Sequence, residues 1–233
     1  MFANKTRPMA LTLRVLARLV SYPDTAVREH LDEMRDTLHR EQALRANRLA
    51  ELDALITSIQ RQSAIDAEAD YVQLFDSGRR TSLHLFEHVH GDSRDRGPAM
   101  IDLAQTYEKA GLYLAEGEMP DHLPVALEYA STQPPTEAKA FLSETADILN
   151  VIFNALEKRE SRYASVLCAM LDLAGETARP VTIADEPPID ESWAEPVAFD
   201  GCSTSGQARP GQPQPVHIVR GQQTLAKTQG ARA

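Results

Sequence analysis

The feature that most constrains this chain is the spacing of its apolar residues, which recur every three or four positions from Met9 to about Leu173 and almost never alternate. That spacing lines side chains along one stripe of an α-helix, whereas a half-buried strand requires a period of two. Leu13, Leu16, Ala17 and Val20 form a first stripe. After the Pro23 break, Asp24 is placed as the N-cap of a helix carrying Val27, Leu31, Met34 and Leu38. A third stripe runs through Leu49, Leu52, Leu55, Ile56 and Ile59, and a fourth, with Tyr71, Leu74 and Phe75, ends at the Asp76-Ser77-Gly78 turn. Pro98 suits a first helical turn, with Asp95 as a candidate cap upstream; Met100, Ile101, Leu103, Ala104 and Tyr107 then supply a face that ends at Gly111. Pro124 to Ala130 reads as a short helix, stopped where Pro134 and Pro135 remove two amide donors. Leu142, Leu149, Ile152, Phe153 and Leu156 read as one long helix, and Tyr163, Val166, Leu167, Met170 and Leu171 as the last before Gly175. With no pair of alternating runs, no Asn-Gly hairpin and no internal repeat, the chain is predicted to be all-α, a single compact bundle of about eight to ten helices over residues 1–179.

Composition changes at Arg179-Pro180. Residues 180–233 hold seven of the 14 prolines and five of the 11 glycines without sustained periodicity, which predicts a disordered tail. The lone Trp193 within it is a candidate docking patch. Of the net charge of −10, the share of residues 1–180 is −8, so the acidic field belongs to the helical part. An acidic body disfavours duplex nucleic acid, whose binders neutralise phosphates. No apolar run approaches the roughly 18 residues that a membrane helix needs. Cys168 and Cys202 are too far apart in sequence for a C-x-x-C motif, so a reducing, cytoplasmic setting is expected. The acid-poor start with Lys5, Arg7, Arg14 and Arg18 reads as a packed helix rather than a targeting peptide, because the two arginines interrupt the apolar run at helical spacing.

Chemistry-bearing residues concentrate in two polar knots. In the first, residues 82–97, His84 and His88 would share a helix face at i and i+4 with Glu87 adjacent, a legitimate pair of metal ligands; His90 is poorly placed to be the third. Helix capping and backbone bonding are the better explanation of these histidines. Arg94, Asp95 and Arg96 are expected to brace the same loop by pairing with one another. The second knot is Glu118-Met119-Pro120-Asp121-His122-Leu123-Pro124, where Asp121 can cap the helix that follows. Phosphate-cradling glycine loops and a G-x-S-x-G elbow are lacking, and Cys168 lies in an apolar stripe as a small buried hydrophobe. An enzyme is therefore not expected.

The two knots, with Tyr71-Val72-Gln73-Leu74-Phe75-Asp76 before them and Val125-Ala126-Leu127-Glu128-Tyr129 after them, resemble nitrate reductase molybdenum cofactor assembly chaperones. These are of the NarJ type, within the TorD/DmsD-like redox chaperones. The resemblance runs from Leu19-Val20-Ser21-Tyr22-Pro23-Asp24 to about Gly175, with Met119 standing where the family usually has leucine. It implies a non-enzymatic cytoplasmic protein that binds the apo catalytic (alpha) subunit of respiratory nitrate reductase. The family's principal target is the N-terminal, leader-like segment of that subunit, bound as an amphipathic helix. Such a protein assists molybdenum cofactor insertion before membrane docking and keeps no cofactor itself. Proteins of molybdenum cofactor biosynthesis are candidate further partners.

A groove between helices suits that role, since a target helix can insert anchors at i, i+3 or i+4, and i+7. It is expected to be bordered by the two knots. Polar contacts are assigned to His88, His90, Arg94, Arg96, Asp121 and His122, and the apolar lining to Leu83, Phe86, Tyr107 and Leu123, each of which could equally be core. The competing readings are a metal-dependent enzyme using His84, Glu87 and His88, and a general adaptor for twin-arginine leaders.

Overall fold

A computed structural model describes residues 8–91 and 93–181. Apart from its first two residues, the 180–233 segment, with Trp193 and Cys202, lies outside the described residues. The described part is helical throughout. In order, the helices are α1 (Ala10–Leu19), α2 (Thr25–Glu29), α3 (Leu31–Glu41), α4 (Ala46–Arg61), α5 (Ala64–Phe75), a 3-10 turn (Arg79–Thr81), α6 (Leu85–Val89), α7 (Arg96–Lys109), α8 (Leu123–Thr132), α9 (Pro135–Glu144), α10 (Ala146–Lys158) and α11 (Ala164–Ala174).

Two stripes that read as continuous are each split in two, and α6 forms within the first polar knot, which is why eleven helices stand among the described residues where eight stripes are read. The run from Val27 to Leu38 breaks at His30, whose amide bonds Val27 O at 3.2 Å in a tightened 3-10 fashion before α3 restarts. The run from Leu142 to Leu156 breaks at Thr145, which serves both as the end of α9 and as the start of α10. A one-residue bend leaves the apolar period almost undisturbed, so spacing alone cannot register it.

The last helix sits in the middle. Every residue of α11 except Asp172 is buried, as its unbroken apolar character requires, and α4, α9 and α10 pack around it. On another side α1 packs against α8 and α3. Caps fix the ends: Asp24 Oδ1 accepts Val27 N–H at 2.8 Å, and Gly175 closes α11 with φ of 81°, a left-handed conformation costly for a side chain. The start of α1 lacks a local cap. The carboxylate of Glu41 supplies one from α3, accepting the amides of Leu11 at 3.1 Å and Thr12 at 2.5 Å.

Candidate functional site

A single antiparallel bridge between His84 and His122 joins the two polar knots. Leu123 N–H donates to Leu83 O at 2.8 Å and Leu85 N–H to Asp121 O at 2.9 Å. Leu83 and Leu123 flank the bridge and point into the core, 3% and 2% exposed. The bridge has a clear physical purpose, since it carries Asp121 into the interior, where its side chain is fully buried.

Asp121 does not cap α8; no side chain caps that helix, and Pro124 in its first turn removes one donor. Its carboxylate instead reaches across the bridge. One oxygen pairs with His84 Nδ1 at 3.2 Å, while the other accepts Phe86 N–H at 3.2 Å and faces the Arg96 guanidinium at 3.4 Å. Asp121 thereby caps the start of α6 from another part of the chain. Burial by itself would raise its pKa; the hydrogen bond and charge of His84, the Phe86 amide and Arg96 outweigh that and hold it below the usual carboxylate range. The hydrogen bond to Asp121 raises the pKa of His84 against the opposing effect of burial, whereas burial, followed by the charge of His84, lowers that of His122. The two imidazoles stack with centroids 5.1 Å apart.

This geometry removes the helical metal pair. His84 precedes α6 in an extended conformation, and its ring is engaged by Asp121. The ring of His88 bonds Ser82 O at 2.9 Å. Among the described residues no group of three or more potential ligands converges. Arg96 pairs with Glu87 at 3.6 Å and with Asp121, not with its neighbours; Asp95 occupies the cap position of α7 without capping it and accepts from the Ser93 hydroxyl at 3.2 Å. Phe86 is half-buried with its ring edge-on to His90, and Arg94 is exposed.

The cleft lies on the other side of the second knot. It has a volume of about 360 Å³ between α1, α8 and the stretch that follows α7. Its walls are Arg14 and Arg18 of α1, Tyr107 and residues 112–114, and Val125, Glu128 and Tyr129 of α8, with Glu118 at the rim. Arg18 faces Glu128 at 3.5 Å, and Arg14 Nε donates to Ser131 Oγ at 3.2 Å. Tyr107, otherwise buried, donates its hydroxyl to Pro120 O at 2.9 Å and packs its ring 4.7 Å from that of Tyr129. So the knot built on Asp121 and the cleft are mechanically one unit, tied through Pro120.

Of the residues assigned from sequence, the structure gathers Leu83, Phe86, Arg96, Asp121, His122 and Leu123 at the bridge, and only Tyr107 reaches the cleft. Val125, Tyr129 and Thr132 were missed. They lie at i, i+4 and i+7 on α8, a second stripe beside the core stripe of Leu123, Leu127 and Ala130, and that spacing was available in the sequence.

A family model described as nitrate reductase delta subunit matches residues 22–169. The nitrate reductase molybdenum cofactor assembly chaperone NarJ of Escherichia coli strain K12 is 40% identical over 190 residues, covering 82% of this chain and 80% of its own. A Bacillus subtilis strain 168 protein described as a probable nitrate reductase molybdenum cofactor assembly chaperone NarJ is 30% identical over 169 residues, 71% of this chain and 89% of its own. The crystal structure of a candidate redox enzyme maturation protein from Archaeoglobus fulgidus superposes with a TM-score of 0.54 over 72% of this chain and 94% of that one. At 22% identity it supports the all-helical fold alone.

Proposed function

The chain belongs to the nitrate reductase delta subunit family, and from that premise we propose that it is a system-specific, non-enzymatic chaperone for the assembly of a molybdenum-containing nitrate reductase. It binds the apo catalytic subunit in the cytoplasm, gripping the N-terminal leader-like segment as an amphipathic helix. It keeps that subunit open to molybdenum cofactor insertion before membrane docking.

The observation that carries this reading is the aromatic cleft, tied to the buried Asp121 knot by the hydrogen bond from Tyr107 to Pro120. Its apolar wall accepts helix anchors, and Arg14, Arg18, Glu118 and Glu128 at its margin can orient a polypeptide. Burying three Leu- or Phe-sized anchors contributes about 5 to 9 kcal/mol gross, of which ordering the peptide removes roughly 2 to 5. The remainder supports reversible binding, as release of a loaded enzyme demands. Leu83, Phe86, Arg96, His122 and Leu123 lie at the bridge and outside the cleft lining, so in this reading they hold the Asp121 knot rather than touch the peptide, and His88, His90 and Arg94 are outside the cleft lining as well.

Co-expression of the tagged full chain with the catalytic subunit tests the proposal. Co-purification of cofactor-free subunit is expected, with loss of binding when the N-terminal segment of the subunit is deleted and when Tyr129→Ala is introduced. Undiminished capture of the deleted subunit would overturn the assignment of the segment. Comparable affinity for leader peptides of unrelated redox enzymes would replace the dedicated role with a general adaptor.

A further inference from the structure

A second cavity, of about 450 Å³, runs along α4, walled on one side by Asp53, Thr57, Ser58, Arg61 and Gln62 and on the other by Arg162, from the turn ahead of α11. Its arginines differ from those of the cleft. Arg14 and Arg18 bond Ser131 and Glu128, whereas Arg61 and Arg162 have no side-chain hydrogen bond or ion pair among the described residues. One unpaired guanidinium at a surface is ordinary. Two, brought from different elements to one cavity of a chain with a net charge of −10, concentrate positive potential where the molecule as a whole repels anions.

The negative groups around this cavity already have their cations. Asp53 pairs with His39 Nε2 at 2.9 Å and lies 3.6 Å from Arg35 Nε. The carbonyls at the end of α4, the negative pole of its dipole, are covered by Arg28, which donates to Ile59 O at 2.8 Å and Gln62 O at 2.7 Å. Asp70 accepts from the side-chain amide of Gln62. The charge of Arg61 and Arg162 is therefore surplus, and hydroxyls stand beside it. Thr57 Oγ1 accepts from Arg35 Nη2 at 3.1 Å, which leaves its own proton to donate, and the Ser58 hydroxyl has no partner among the described residues. Two guanidinium forks and two hydroxyls match a group with three accepting oxygens and two charges, as in a phosphate monoester, better than a carboxylate with two oxygens and one charge. The volume lies in the range of small-molecule pockets, so the phosphate would carry an organic group laid along Ala54. We infer that this cavity binds a small phosphorylated molecule, its phosphate held between Arg61 and Arg162 and accepting from Thr57 and Ser58. The site shares no lining residue with the cleft.

The probe is glycerol phosphate, titrated into the full chain at about pH 8, where the monoester is a dianion, and at constant ionic strength. Malonate, a dianion made of two carboxylates, is the charge-matched comparison. Binding is read by calorimetry and by heteronuclear NMR of the arginine Nε–H groups, those of Arg61 and Arg162 being assigned from their variants. One-to-one saturable binding is expected, with shifts at both guanidiniums and a preference over malonate of at least about fivefold. Arg61→Gln and Arg162→Gln should each weaken binding at least about tenfold. Arg61→Lys, which keeps the charge but loses the fork, should weaken it about threefold. Arg45→Gln removes an exposed arginine at the start of the same helix, outside the cavity, and should leave affinity within about twofold. These three positions are exposed, and circular dichroism verifies the fold of each variant. No saturation below about 10 mM, equal affinity for malonate, an equal loss in Arg45→Gln, or wild-type affinity when Arg61→Gln and Arg162→Gln are combined would overturn the assignment. None of these readouts involves nitrate reductase, so failure here and failure of the chaperone role are distinguishable.

Discussion

Asp121 is the residue on which most of the site converges, and its value lies in being charged and buried at once. Removing one partner of such a network leaves the others desolvated and unpaired. Asp121→Ala is expected to destabilise the protein by about 2 to 5 kcal/mol in urea unfolding, and a loss below about 0.5 kcal/mol would show that His84 and Arg96 find other partners. The acid-base signs also differ within the knot. The raised pKa of His84 makes its contribution complete below its unfolded pKa of about 6.5 and lost as pH rises through the folded value. The lowered pKa of Asp121 makes its contribution present above about 3.9 and lost as pH falls through the folded value. The pair therefore contributes most between about pH 4 and 6.5. The stability gap between wild type and His84→Gln should be widest near pH 5.5 and should narrow toward pH 9. His122, with a lowered pKa, has the opposite slope, and His122→Gln should flatten the loss of stability as pH falls below about 6.5.

At the scale of elements, the bundle depends on stripes that interlock and on one helix that hardly does. Leu127 of α8 has no exposed surface, and Leu127→Ala should cost about 2 to 5 kcal/mol, read by the urea midpoint at unchanged slope. In contrast, Tyr107 is the only buried residue of the 14-residue α7. Backbone amides of α7 should exchange with deuterium well before those of α11, and equal protection would contradict so shallow an attachment. These two helices also mark what the sequence could reveal. Leu127 and the α11 stripe were legible because packing imposes the helical period directly. The polar site was legible only in part: spacing grouped the 82–97 and 118–124 stretches, but not the bridge that turns Asp121 toward His84 and Phe86, because strand-like pairing between His84 and His122, so far apart in the chain, leaves no local period. His84 and His88 suggested one helix face for the same reason, since nothing local announces that α6 starts one residue late.

For the whole molecule, the net charge of −10, with −8 in residues 1–180, surrounds the helical body with a field that draws basic segments. Association with a basic peptide should slow several-fold between about 0.05 and 0.5 M salt while dissociation changes little; the reverse pattern would assign the charges to the contact itself rather than to the approach. The bridge at His84 and His122 adds a consequence of another kind. The chain leaves the bundle at Leu85 and re-enters it at Leu123, and Arg96 at the outset is tethered to Asp121 at the return. Residues 97–119 thus form an appendix with a clasp at its neck and one buried tyrosine, Tyr107, anchoring it to the trunk: its exposed positions, Tyr113 among them, can be resurfaced without rerouting the trunk, which leaves that wall of the cleft open to reshaping for a different client.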